Sequence, residues 1–143
     1  HNVGVRNAHV EAVRVRYGET DAMGHAYYGS YMLWFEQARN ELCRRLGASY
    51  REAEARGVFL PVVEVHAAYK GEILFDDLIE IRVAITELRR ATVRFEYEIR
   101  RRGDDRLLTT GWTVHVTMGR DRRAITIPDD LRTILGGSPD AVG

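Results

Sequence analysis

One segment governs what this chain can fold into: the apolar run from about Ser30 to Leu46. Tyr31, Met32, Leu33, Trp34, Phe35, Ala38, Leu42, Cys43 and Leu46 form a stripe that goes nearly all round the first turn of a helix. A helix of that kind is expected to be largely buried rather than laid on a surface, so the rest of the chain must supply its walls. Ser30 or Gly29 is placed to cap its start and Gly47 to end it. A shorter helix is predicted from Ser49 to Arg56, ending at Gly57.

The rest reads as sheet. Residues 8–17 form a predicted strand in which Val13, Val15 and Tyr17 alternate with Arg14 and Arg16. A loop of small and polar residues, Gly18 to Gly29, leads from it into the helix. Pro61 to Ile73 is a second strand region. Ile79, Ile81, Val83 and Ile85 then alternate with Glu80, Arg82, Ala84 and Thr86, and Val93, Phe95, Tyr97 and Ile99 with Arg94, Glu96, Glu98 and Arg100. Leu108, Thr110, Trp112, Val114, Val116 and Met118 are expected to make the next apolar face, after a turn at Gly103-Asp104. Pro128 to Leu135 reads as a closing helix. One strand, one long helix and then consecutive strands is an α+β order, which implies an antiparallel sheet. About five strands can be covered by one helix only if the sheet wraps around it.

The chain has 143 residues, which suits a single domain over 1–143 with its core at about 8–128. Formal net charge is zero, so no general nucleic-acid or membrane-surface field is expected. Cys43 is the one cysteine, which excludes an internal disulfide and fits a reducing, cytoplasmic setting. No apolar run approaches the ~20 residues of a membrane helix, and the first residues lack the pattern of a secretory signal. His1, His9, His25, His66 and His115 show no metal-ligand spacing, so no metal site is expected. Neither a phosphate-cradling glycine loop nor a Gly-x-Ser-x-Gly elbow is present.

The stretch Tyr17-Gly-Glu-Thr-Asp21-Ala-Met-Gly24-His-Ala-Tyr27-Tyr28-Gly-Ser-Tyr31-Met-Leu-Trp34-Phe35-Glu36-Gln-Ala38-Arg39 resembles the 4-hydroxybenzoyl-CoA thioesterase family of hotdog enzymes. The resemblance lies in an aspartate, two residues, a glycine and an aromatic-rich helix start running on to Phe-Glu. It implies a sheet wrapped around one central helix and hydrolysis of an acyl-CoA thioester, without a metal or redox cofactor. It also implies a homodimer, doubled to a tetramer, with active sites shared across the subunit interface.

Thioester hydrolysis needs a base or nucleophile, and donors for the developing oxyanion. Asp21 is the candidate carboxylate, and Gly24 allows a tight backbone approach. By resemblance, the backbone N–H of Tyr28 is the oxyanion donor. Glu36 is the rival carboxylate, with an ion pair to Arg39 as its plainer role. For the CoA phosphates the candidates are Arg89, Arg90, Thr92, Lys70 and Arg122, since phosphates favour arginine forks. Arg100-Arg101-Arg102 reads as a solvated hairpin end. Tyr27, Tyr31 and Trp34, with Tyr28 and Phe59 to Val63, are expected to wall the acyl pocket. Two other readings remain: a hotdog hydratase or dehydratase, for which His25 is the available histidine, and a non-catalytic acyl-CoA binder.

Overall fold

The computed structural model describes residues 7–136; residues 1–6 and 137–143 of the expected domain lie outside them. Strand β1 (Ala8–Arg14) leads through a short 3-10 turn (Tyr17–Glu19) to α1 (Tyr28–Leu46) and α2 (Tyr50–Ala55). Strands β2 (Val62–Tyr69), β3 (Leu78–Leu88), β4 (Thr92–Arg101) and β5 (Leu107–Val116) follow, then α3 (Asp129–Gly136). The five strands form one sheet in the order β1-β3-β4-β5-β2, every neighbouring pair antiparallel. The long helix packs on its inner face, so the α+β arrangement expected from the sequence is the one observed.

The alternation in β3 and β4 does what its pattern requires. Ile81 lies opposite Ile99, Val83 opposite Tyr97 and Ile85 opposite Phe95, all buried. The other row pairs charges, Arg82 opposite Glu98 and Glu80 opposite Arg100. Trp34, Phe35, Ala38, Leu42 and Cys43 of α1 fill the space above the apolar row, each large apolar side chain contributing on the order of 2 kcal/mol. Gly47 ends the helix in the left-handed region, at φ 88°.

Several expectations are corrected. The first strand stops at Arg14, and Tyr17 is 78% exposed in the turn that follows. The chain bends there because the Glu19 carboxylate accepts the Arg16 N–H at 2.8 Å. The helix begins at Tyr28, and neither Gly29 nor Ser30 caps it. Nor is α1 apolar-buried all round: Tyr28 and Leu33 are exposed, while Arg39 is buried. The inward row of β5 is Thr109, Gly111, Thr113 and His115, whereas Thr110, Trp112, Val114 and Val116 point the other way. Closeness to the helix explains the swap, because a Cβ on Gly111 would stand 2.6 Å from the Phe35 ring. The arginines of the β4–β5 hairpin are paired rather than merely solvated: Arg100 with Glu98, Arg101 with Asp77 and Arg102 with Glu80.

Candidate active site

Asp21 sits in a loop that it organises itself. Its Oδ1 accepts the N–H groups of Met23 at 2.9 Å and His25 at 3.2 Å. Its own N–H donates to the His25 carbonyl at 2.8 Å, and its carbonyl accepts the Gly24 N–H at 3.0 Å. Gly24 lies at φ +79°, a left-handed turn that its lack of a side chain permits. The loop is stitched to the segment before β3 by Ala26 N–H to the Ile73 carbonyl and Phe75 N–H to the Gly24 carbonyl. The carboxylate is exposed, and Oδ2 accepts no hydrogen bond from a described residue. Asp21 is thus both the turn former that its position suggests and an available carboxylate.

The helix starts just behind this loop. The Tyr27 N–H is used by the Glu19 carbonyl at 2.8 Å and the Ser30 N–H by the Tyr27 carbonyl at 2.9 Å. The N–H groups of Tyr28 and Gly29 precede the helix's own bond ladder, at its positive end. A Cβ at Gly29 would meet the exposed Tyr27 ring at 2.7 Å, so a side chain there would turn that ring aside.

Sequence reasoning missed Glu19. This carboxylate is 6% exposed. Oε1 accepts the Arg16 N–H, and Oε2 accepts Arg16 Nη2 at 3.2 Å and the Trp34 indole N–H at 3.1 Å. Burial alone would raise its pKa, but these donors prevail and hold it below the usual carboxylate range. A carboxylate two residues before Asp21 reads as solvated until the fold lays Trp34 over it.

The remaining candidates divide between the two ends of the molecule. Lys70 is exposed at the Asp21 end, bonded through its N–H to the Leu108 carbonyl. Tyr31 and Trp34 are core residues at 5% and 1% exposure, whereas Tyr27 and Tyr28 are exposed, with their rings tilted at 37° and 4.5 Å apart. Glu36 is exposed and makes no pair with Arg39, whose guanidinium instead donates to the Tyr50 and Tyr97 hydroxyls. His25 faces Glu72, with Nε2 3.3 Å from its carboxylate. Arg89, Arg90 and Thr92 lie at the opposite end of the sheet, the two arginines in the β3–β4 turn and Thr92 at the start of β4. Arg89 is paired with Glu87 and Arg90 donates to Thr126, while Arg132 of α3 holds the carbonyls of both.

Arg122 belongs to that far end too. With Arg120 it helps to line a cavity of about 550 Å³ whose apolar walls include Tyr50, Val58, Phe59, Pro61 and Met118. This cavity is at the C-terminal end of α1. The 19 residues of that helix set it roughly 28 Å from the Tyr28 N–H. Within one chain, therefore, the candidate carboxylate and most of the candidate phosphate ligands are apart. Among the described residues no three His, Cys, Asp or Glu side chains are grouped to hold a metal ion, and no helix is long and apolar enough to cross a membrane.

Comparison with known proteins gives this geometry a context. The chain is similar to the putative acyl-CoA thioesterase YneP of Bacillus subtilis, 32% identical over 87 residues, which are 61% of this chain and 63% of that protein. Among solved structures, a hypothetical protein, TT1821, from Thermus thermophilus superposes with a TM-score of 0.84 at 36% identity, covering 90% of this chain and 97% of that one. A DHNA-CoA thioesterase from Staphylococcus aureus does so with a TM-score of 0.79 at 31% identity, covering 83% and 80%. The hotdog fold and the reading of the chain as an acyl-CoA thioester hydrolase are borne out at the level of family and reaction class. Residues 15–135 match the model of the thioesterase-like superfamily, and it is to this family that the chain belongs.

Proposed function

We propose that the chain hydrolyses acyl-CoA thioesters with Asp21 as the reacting carboxylate and the N–H groups at the start of α1 as the oxyanion site. The observation that carries this reading is the division of labour within one carboxylate. Oδ1 is pinned by Met23 and His25, which leaves Oδ2 without a partner among the described residues, on a loop that returns to the helix at Tyr27, one residue before the Tyr28 amide. Oδ2 takes a proton from water as the water oxygen bonds to the thioester carbon, and the amides stabilise the resulting oxyanion. Collapse breaks the C–S bond, and the departing CoA thiolate takes up a proton. The same oxygen is also placed to attack directly and form a mixed anhydride; a single turnover in heavy-oxygen water separates the two routes. Neither route requires a metal or redox cofactor, and both fit a cytoplasmic enzyme.

The functional unit is a homodimer. β2 is an edge strand whose Val62, Val63, Val65 and Tyr69 are about half exposed, an unprotected edge that favours pairing. Two β2 edges running antiparallel about a two-fold axis set the Val62 end of one subunit beside the Tyr69 end of the other. That arrangement brings the arginines of one subunit, Arg89, Arg90 and Arg122, towards the Asp21 loop of its partner. Two dimers then assemble into a tetramer through outer sheet faces, where Trp112 lies between His66 and Arg94.

The test is thiol release from short, long and aromatic acyl-CoAs by the wild type, Asp21→Asn and Glu36→Gln. Asp21→Asn is expected to lose at least about 100-fold in kcat, the scale of a missing base, and Glu36→Gln to stay close to wild type. No release from any acyl-CoA would point to a binder, and full activity in Asp21→Asn would transfer the role to Glu36.

A further inference from the structure

We propose that Glu19 is a positioning residue for this hydrolysis, fixing the Asp21 loop against the first turn of α1 so that carboxylate and oxyanion amides keep one relative placement. The inference rests on the Asp21 reading above. Residue 19 is tied at both its ends. Its side chain joins the strand exit to the second turn of the helix through Arg16 and Trp34. Its carbonyl accepts both the Tyr27 N–H at 2.8 Å and the Ser30 hydroxyl at 3.0 Å. The loop carrying Asp21 thus leaves from Glu19 and returns to it at Tyr27, one residue before the Tyr28 amide.

Glu19 is not itself the base. It is buried, and both carboxylate oxygens are occupied, whereas Asp21 is exposed with one oxygen without a partner. What Glu19 supplies is geometry, and hydrolysis is sensitive to small misplacements of its groups. Only an ionised carboxylate satisfies all three donors that converge on it. In Glu19→Gln, an amide oxygen kept on the Arg16 N–H turns the NH2 towards the Trp34 indole and the Arg16 guanidinium, donor against donor.

The experiment compares kcat, KM and urea midpoint for the wild type, Glu19→Gln, Ser30→Ala, Asp21→Asn and the double variant Glu19→Gln/Asp21→Asn. Glu19→Gln is expected to lower kcat roughly 10- to 100-fold with KM within about twofold, the pattern of an interaction lost at the transition state. Ser30→Ala, which removes one support and favours helix, is expected to lower kcat about threefold in the same manner. The double variant is expected to be no slower than Asp21→Asn, because groups that act as a unit do not add. A wild-type kcat in Glu19→Gln overturns the proposal, as does a double variant in which the two losses multiply. If Glu19→Gln does not fold, a wild-type kcat in Ser30→Ala overturns it. Failure of the underlying reading is seen separately, as undiminished turnover in Asp21→Asn alone.

Discussion

Arg39 reaches Tyr97 inside the core: its Nη1 donates to the tyrosine hydroxyl at 3.1 Å, and that oxygen is 2.6 Å from Thr113 Oγ1. Nε donates to Tyr50 at 2.9 Å, and no carboxylate among the described residues is in ion-pair range. Burial opposes the charge, but the Tyr97 and Tyr50 oxygens more than offset it, so the guanidinium stays protonated. It stabilises through hydrogen bonds and through the packing of its stem. Arg39→Ala, which loses both, is expected to lower unfolding free energy by about 3 kcal/mol, and Arg39→Met, which keeps the stem, by about half as much. Urea denaturation measures both; an equal loss in the two would mean that the stem contributes nothing.

The chain of bonds continues to His115. Its Nδ1 is 2.9 Å from the Leu60 carbonyl, which can only accept, so Nδ1 carries the proton and Nε2 accepts from the Thr113 hydroxyl at 3.0 Å. Burial, with the nearby Arg39 charge, lowers the pKa of His115 to about 4, against the Leu60 bond, which raises it. In the unfolded chain the ring protonates near its ordinary value of about 6.5. The unfolded state therefore binds more protons between those values, and stability falls as pH drops through that window, by up to about 1.4 kcal/mol per pH unit. Urea midpoints at about pH 7 and about pH 5 are expected to differ more for the wild type than for His115→Gln, which has no ring to protonate. Parallel slopes in the two proteins would remove His115 as the cause.

Gly111 marks where the helix comes closest to the sheet. A Cβ there would meet Phe35 Cζ at 2.6 Å and the His66 carbonyl oxygen at 2.7 Å. Gly111→Ala is expected to cost roughly 1–3 kcal/mol by overpacking. Phe35→Leu in the same chain is expected to recover only part of it, since the backbone oxygen cannot withdraw. Calorimetric melting of the single and double variants decides this; no loss in Gly111→Ala would mean that the helix can shift away freely.

The same glycine explains what was and was not legible in the sequence. In β3 and β4 the core row is aliphatic and aromatic and the outer row charged, so a period of two gives both strand and facing. In β5 the core row is Thr109, Gly111, Thr113 and His115, residues chosen for closeness to α1 and for bonds to Tyr97 and Leu60. Its outer row holds Trp112, Val114 and Val116, and polarity alone points the strand the wrong way. Asp21 was legible because loop, glycine and helix form a local pattern. Glu19 was not, because its partner Trp34 lies fifteen residues away and the pairing exists only in the fold. Nor could the strand pattern reveal that Arg89, Arg90 and Arg122 stand at the opposite end of the sheet from Asp21, a relation between ends that only the topology fixes.

That separation leads to a sharp expectation for mixed subunits. If a subunit's Asp21 works with its partner's arginines, an Asp21→Asn subunit and an Arg90→Ala/Arg122→Ala subunit each lack half of a site. The arginine variant alone is expected to raise KM several-fold with little change in kcat, and to lose salt sensitivity, because its loss is one of phosphate contacts. Refolded together in equal amounts, the two form heterodimers as about half of the population, each with one intact site of two. Turnover at low acyl-CoA concentration is then expected to gain about a quarter of wild type from the intact sites, well above the average of the two variants alone. A mixture no better than the average of its parts would place carboxylate and phosphate ligands within one subunit, which the length of α1 argues against.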